Sequence, residues 1–282
     1  MLKRIGVVGA GLMGAEIAFE FARAGYDVLL NDRSDELLEA ARTRLTGIWN
    51  KGLARGFYAE EAGSPLERMR FNADLKSFAD RQIVFEAVFE DEQVKGDTWA
   101  LLDGICDADA IFCTNTSTIA ISTLAAHVAP ERRGRFVGTH FFSPVSRMKL
   151  VEVMPGFETD EAVVEEMFGH LKAAEKHPIR IKDVTGFAVN RLLHVFMIEA
   201  VRLVEEGVAT PEDIDTACRL GLGHPIGPFE LMDAVTLSLC EQAQEIMHAS
   251  YGERFRPRPL LKQKVRAGHN GRKAGQGWKS YD

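Results

Sequence analysis

Cysteine is scarce in this chain. Its four residues, Cys106, Cys113, Cys218 and Cys240, form no CxxC pair and have no His-rich company. That usage indicates neither a disulfide framework nor a zinc site, and it fits a reducing compartment. A basic surplus is also missing. Against 34 Lys and Arg stand 41 Asp and Glu, a formal net charge of −7, which argues against nucleic acid as the main partner. No internal repeat or low-complexity segment is visible, so a solenoid or a repeat array is excluded. The one stretch that imitates a secretion signal, Lys3-Arg4 followed by apolar residues, is interrupted by Gly9, Gly11, Gly14, Glu16 and Glu20. No small-residue cleavage site closes it. The expectation is a cytoplasmic protein without a membrane segment.

What the chain does contain is ordinary in bulk, with 46% hydrophobic and 27% charged residues, as in a globular protein. At 282 residues it is long for a single core, so two domains are expected. The charge is unevenly spread. Between Arg254 and Lys279 there are nine Lys or Arg and no Asp or Glu, leaving 25 basic against 41 acidic residues elsewhere. Such a stretch suits an anionic ligand or an acidic neighbouring surface, or simply a solvated face.

Residues 4–9 (RIGVVG) form a short apolar run, as in a parallel strand buried on both faces. Gly9-Ala-Gly11-Leu12-Met13-Gly14 follows at once, then a helix-like stretch 15–24, then a second strand, 27–31, closed by Asp32. This is GxGxxG in its full context of strand, turn, helix, strand and acid. The first glycine permits the tight turn, the second lets backbone approach a pyrophosphate, and the third allows close helix–strand packing. The helix start offers unpaired N–H groups and a positive dipole end to phosphates. The pattern indicates a dinucleotide site. Asp32 would accept hydrogen bonds from a ribose hydroxyl and repel a 2′-phosphate, favouring NAD over NADP, while Arg33 beside it pulls the other way.

Ser34 is placed to cap a helix with Asp35 and Glu36 in its first turn, an apolar stripe from Leu37 to Trp49, and an end at Lys51-Gly52. Further strands are expected at 70–72, 82–88, 110–114, 135–142, 150–154 and 178–181, with helices running to about Cys106 and over 160–176. The strand 110–114 runs into Asn115-Thr116-Ser117-Thr118. In an open α/β sheet, ligands bind beyond the carboxyl ends of strands, so this cluster faces a cofactor's reactive end or is a plain Ser/Thr turn. After Asp183-Val-Thr-Gly186 the chain turns helical, with an apolar stretch 187–206 and a helix start at Thr210-Pro211-Glu212-Asp213. The expected architecture is a Rossmann-type doubly wound, mostly parallel α/β sheet over 1–183, then an all-α domain over 184–282.

Two neighbouring strands carry His140 and Glu152, the latter flanked by Val151 and Val153. Brought together, they make a histidine backed by an acid, a common general base near neutral pH. Kept apart, they are a satisfied core histidine and an acid on an edge strand.

HFFSPVSRMKLVEV (140–153), GAGLMG (9–14), FEAVFED (85–91), NTST (115–118) and DVTGFAVNRLL (183–193) together resemble the (S)-3-hydroxyacyl-CoA dehydrogenases of fatty-acid and related acyl-CoA degradation, and GRKAGQGWKSYD (271–282) is similar to that family's C-terminal end. The resemblance implies NAD-dependent oxidation of a 3-hydroxyacyl-CoA by a homodimer joined through its C-terminal domain. It implies that His140 is the catalytic base and Glu152 its partner, with Ser117 and Asn190 near the substrate's C3 oxygen. It assigns Gly9, Gly11, Leu12, Met13, Gly14, Asp32, Ala87, Glu90, Lys95, Asn115, Ser117, Ser143 and Lys273 to NAD, and Lys51 to the CoA portion. No metal is implied. The chain departs from the family pattern at Ser143, where many members carry Asn, at Thr185, which replaces a common Pro, and at Arg44, where some carry a Ser that contacts CoA. A related free hydroxy-acid dehydrogenase of gulonate or carnitine type, and a non-catalytic NAD-binding protein, remain alternatives.

Overall fold

The structure, a computed structural model, describes residues 3–59 and 63–281. The chain divides into two compact units, Met1–Val184 and Thr185–Asp282.

The first unit is built on eight strands: β1 (Arg4–Val8), β2 (Asp27–Asn31), β3 (Met69–Phe71), β4 (Ile83–Glu86), β5 (Ile111–Thr114), β6 (Phe136–Phe141), β7 (Leu150–Pro155) and β8 (His177–Arg180). They lie in the order β3-β2-β1-β4-β5-β6-β7-β8. Every pairing is parallel except β6 with β7. The residues of β4, β5 and β6 are buried throughout, which is why these strands read as unbroken apolar runs rather than alternating ones. Helices α1 (Leu12–Arg23), α2 (Asp35–Ala54), α3 (Glu92–Asp103), α4 (Ile121–Ala125) and α5 (Glu161–Ala173) accompany the sheet. α1 presents a run of buried residues from Gly14 to Ala22, including Ile17, Phe19 and Phe21, to the core around Val7, Val28 and Phe85.

Element ends differ from the sequence expectation by a few residues: α1 begins at Leu12, α3 ends at Asp103 and α5 at Ala173, and β4 covers only Ile83–Glu86. α2 continues past Gly52 to Ala54, because that glycine is a packing site rather than a stop. A Cβ there would stand 2.1 Å from the Tyr58 ring, which stacks on Trp49 at 5.1 Å. β8 begins at His177 and holds Pro178 inside it, which is tolerated because β8 is the sheet's edge. Conversely β7, with β6 on one side and β8 on the other, is not an edge, and Glu152 within it is fully buried.

The second unit is helical: α6 (Val189–Glu205), α7 (Pro211–Gly221), α8 (Pro228–Val235), α9 (Leu237–Tyr251) and α10 (Pro259–Arg266). Thr210 caps α7, accepting from Asp213 N at 3.2 Å. Its core gathers Met197, Val201, Phe229, Met232, Leu237, Leu261 and Trp278. Asp233, nearly fully buried, fastens the tail by accepting from Trp278 N, Lys279 N and the Tyr281 hydroxyl. Part of the basic stretch is matched within this unit: Arg256 pairs with Glu253, Arg258 with Glu205, Lys262 with Glu245, and Lys279 with Asp215 and Glu230. Among the described residues no helix is long and apolar enough to cross a membrane, and no cluster of His, Cys, Asp and Glu could hold a metal ion.

Candidate active site

The site is set by strand register. β6 and β7 are joined by the loop 142–149, and their antiparallel ladder puts His140 directly opposite Glu152. Residues paired across such a ladder share a face with Cβ atoms about 4.5–5.5 Å apart. Here the side chains close that gap, with His140 Nδ1 2.8 Å from Glu152 Oε2. Exposure is 5% for the histidine and 0% for the acid. A carboxylate only accepts, so Nδ1 carries the proton and Nε2 is left with its lone pair outward. Ser117 Oγ, 3.0 Å from Nε2, is then the donor on that side.

Ser117 is held from beneath. Glu90 Oε1 accepts from Thr116 Oγ1 at 2.7 Å, Ser117 N at 2.7 Å, and Thr118 N and Oγ1 at 3.1 Å. Burial raises the Glu90 carboxyl, but Lys95 and these donors outweigh it and hold it below the usual carboxylate range. Lys95 has no exposed surface, and its ammonium is shared among Glu86 Oε1 at 2.7 Å, Asn115 O at 2.9 Å and Glu90 Oε2 at 3.5 Å. Glu86, also fully buried, accepts from Thr114 Oγ1 and Val88 N as well. Asn115 completes the frame: its Oδ1 accepts from Phe141 N, next to the histidine. The structure thus places Asn115, Glu90 and Lys95 under and around Ser117. Glu86 and Thr116, which lie in the two motifs but have no individual role on sequence grounds, are part of the frame.

The glycine turn lies on the same carboxyl edge of the sheet. Gly9 has a φ of +96°, and a Cβ on it would lie 2.6 Å from Ala87 O. A Cβ on Gly14 would lie 1.9 Å from Gly9 O, so the strand–turn–helix contact has no room for a side chain. Gly11 is different: a Cβ there would meet nothing within 4 Å. Gly11 is also the N-cap of α1 and offers no side-chain cap, so the first-turn N–H groups of Leu12 and Met13 face that open space. Asp32, at the end of β2, accepts from Ala10 N at 2.6 Å and Arg33 N at 2.8 Å. Open space, unspent donors and a helix start form a cradle that fits a dinucleotide pyrophosphate. Ser143 is exposed just beyond β6. Lys51, with Arg55, Arg147 and Lys149, lines a groove of about 800 Å³ next to Ser146.

Residues 4–184 match the 3-hydroxyacyl-CoA dehydrogenase NAD binding domain, and 186–281 match the C-terminal domain of the same family. The chain belongs to the 3-hydroxyacyl-CoA dehydrogenase family. It is 40% identical over 285 residues to a 3-hydroxybutyryl-CoA dehydrogenase of Mycobacterium tuberculosis, covering 99% of each. With the mitochondrial hydroxyacyl-coenzyme A dehydrogenase of Homo sapiens it shares 37% identity over 100% of this chain and 92% of that one. The solved structure of (S)-3-hydroxybutyryl-CoA dehydrogenase from Ralstonia eutropha matches with a TM-score of 0.95 at 33% identity, covering 100% of both chains. The dehydrogenase is therefore an NAD-dependent oxidoreductase. Two residues assigned by resemblance lie in its second unit: Asn190 in the first turn of α6, half-buried, and Lys273 exposed on the turn Arg272–Ala274. Thr185 is anchored by two hydrogen bonds to α9. Its Oγ1 accepts from Ser250 Oγ at 3.0 Å and its carbonyl from Tyr251 OH at 2.8 Å.

Proposed function

We propose that this dehydrogenase oxidises the 3-hydroxyl of an (S)-3-hydroxyacyl-CoA to the ketone, reversibly, with His140 as the general base. The observation that carries the reading is the chain Glu152–His140–Ser117, in which Nε2 is the acceptor of the imidazole. NAD, when bound, supplies the hydride acceptor, and the residues that fit it are Gly9, Gly11, Leu12, Met13, Gly14 and Asp32. The work of the chain itself is to move a proton. In the resting site Ser117 donates to Nε2. With substrate present, the 3-hydroxyl takes that place and gives its proton to Nε2, while the Ser117 hydroxyl holds the same oxygen. Glu152 keeps its bond from Nδ1–H and faces the positive charge that develops on the ring. In the reverse direction the imidazolium returns the proton to a 3-ketone. General acid–base assistance of this kind is worth roughly 10²- to 10⁴-fold.

By family resemblance Asn190 adds a donor to the substrate oxygen and Lys273 a contact to the cofactor. The basic groove beside Lys51 suits the phosphates of CoA. A cytoplasmic homodimer joined through the second unit completes the proposal. Supporting it are the four cysteines, all buried and free, and the exposed apolar side chains Leu192, Val208, Leu220 and Leu222.

The test is NADH oxidation against 3-ketoacyl-CoA thioesters from acetoacetyl to long-chain and dicarboxylic, with free acetoacetate beside them. Turnover confined to the thioesters is expected. Equal turnover of the free acid would transfer the chain to the hydroxy-acid dehydrogenases, and binding of NADH without any turnover would make it a sensor.

A further inference from the structure

We propose that Arg44 is a ligand of the dinucleotide pyrophosphate and pre-sets the glycine turn that receives it; the proposal rests on the NAD reading above. Arg44 stands on α2, yet its side chain leaves the helix for the turn. Nη2 donates to Ala10 O at 3.1 Å and to Gly11 O at 2.8 Å. Ala10 is thereby held on both sides, since its N–H donates to Asp32 Oδ2 at 2.6 Å. A turn fixed in this way does not have to be ordered when the ligand arrives, which removes part of the entropy cost of binding.

The same side chain brings a charge to the opening. Nε is buried and has no hydrogen-bond partner. Among the described residues the guanidinium meets two carbonyls rather than a carboxylate, so its charge is not neutralised by a neighbouring acid. Arg42, on the same helix, has an ordinary surface use by contrast, pairing with Glu39 and covering the Phe71 ring. A guanidinium has five N–H donors, and two spent on carbonyls leave others for an anion. Gly11, whose carbonyl Arg44 holds, is the residue with empty space before it and uncapped N–H groups behind it. An arginine here therefore adds a full positive charge to the partial charge of the helix start. Phosphates of CoA share this chemistry, but the side chain is committed to the glycine turn and not to the groove lined by Lys51.

The experiment is calorimetric titration of the full-length protein with ADP-ribose and, separately, with free CoA, for wild type, Arg44→Gln and Arg44→Lys. Neither probe is turned over, so the measurement does not depend on the catalytic reading. Arg44→Gln is expected to bind ADP-ribose about tenfold more weakly, with a smaller deficit at high salt, and to bind CoA as wild type does. Arg44→Lys restores most of the loss by restoring the charge. ADP-ribose affinity within twofold of wild type in Arg44→Gln overturns the proposal, as does an equal loss for both ligands, a loss confined to CoA, or no ADP-ribose binding by the wild type. Failure of the dehydrogenase reading would look different: ADP-ribose would bind, and no 3-ketoacyl-CoA would be reduced.

Discussion

A carboxylate with no exposed surface has to be given hydrogen bonds, because water no longer supplies them. Glu152 meets that need with the imidazole of His140 and in return fixes which ring nitrogen carries the proton. Glu152→Gln keeps the shape but removes the charge facing the imidazolium. It should lower kcat by roughly 10- to 100-fold, the range for a hydrogen bond to a charged group, and leave NADH affinity unchanged. Steady-state kinetics with parallel NADH titration check this, and an unaltered kcat would contradict it. Ser117→Ala removes the donor at Nε2 and should cost kcat about tenfold. At this scale the pair was legible because a histidine and an acid sit on adjacent apolar strands. What the sequence left open was the register, and one residue of slip would have put the two on opposite faces.

At the scale of elements, the loop 115–118 is held by a relay running from β4 through α3. Glu86 and Lys95 are both fully buried and 2.7 Å apart. Removing one partner of such a pair strands the other, so Lys95→Met should destabilise the protein by about 3–5 kcal/mol, read from urea unfolding. A loss below about 1 kcal/mol would mean the pair is not desolvated as described. If Glu86 acts by placing Ser117, then Glu86→Gln lowers kcat in the wild-type background and has little further effect once Ser117 is Ala. Equal effects in both backgrounds would make the role general stability instead. Most strands were readable within a residue or two, since buried parallel strands leave continuous apolar runs. The relay was not readable: Glu86 looked like one polar residue inside such a run, and only the folded chain shows that Thr114 and Lys95 converge on it. Helix ends were misjudged where a glycine serves packing, as Gly52 does beneath Tyr58.

For the molecule as a whole, charge and burial set the response to pH. The run of basic residues after Arg254 was open to an anionic partner on sequence grounds. Part of it is an internal match, with Arg258, Lys262 and Lys279 paired to Glu205, Glu245, Asp215 and Glu230, which composition alone could not reveal. His194, 6% exposed, has its pKa pushed down by burial to about 4. Its folded value lies below the unfolded one, so the unfolded chain binds the proton more readily. The stability it contributes is complete above the ordinary histidine value and is lost as pH falls toward 4. Between pH 7 and pH 5 the loss should be about 2 kcal/mol, and His194→Gln should flatten that dependence. Equal slopes in denaturant titrations of the two proteins would remove His194 as the cause. The proposed dimer is checked by light scattering, which should give twice the 31.3 kDa chain mass. The most direct test of the whole account is single-turnover reduction of acetoacetyl-CoA by NADH in His140→Ala. The rate should fall by about 10²- to 10⁴-fold while NADH binds as in wild type; hydride transfer at the wild-type rate would contradict the assignment of His140 as the base.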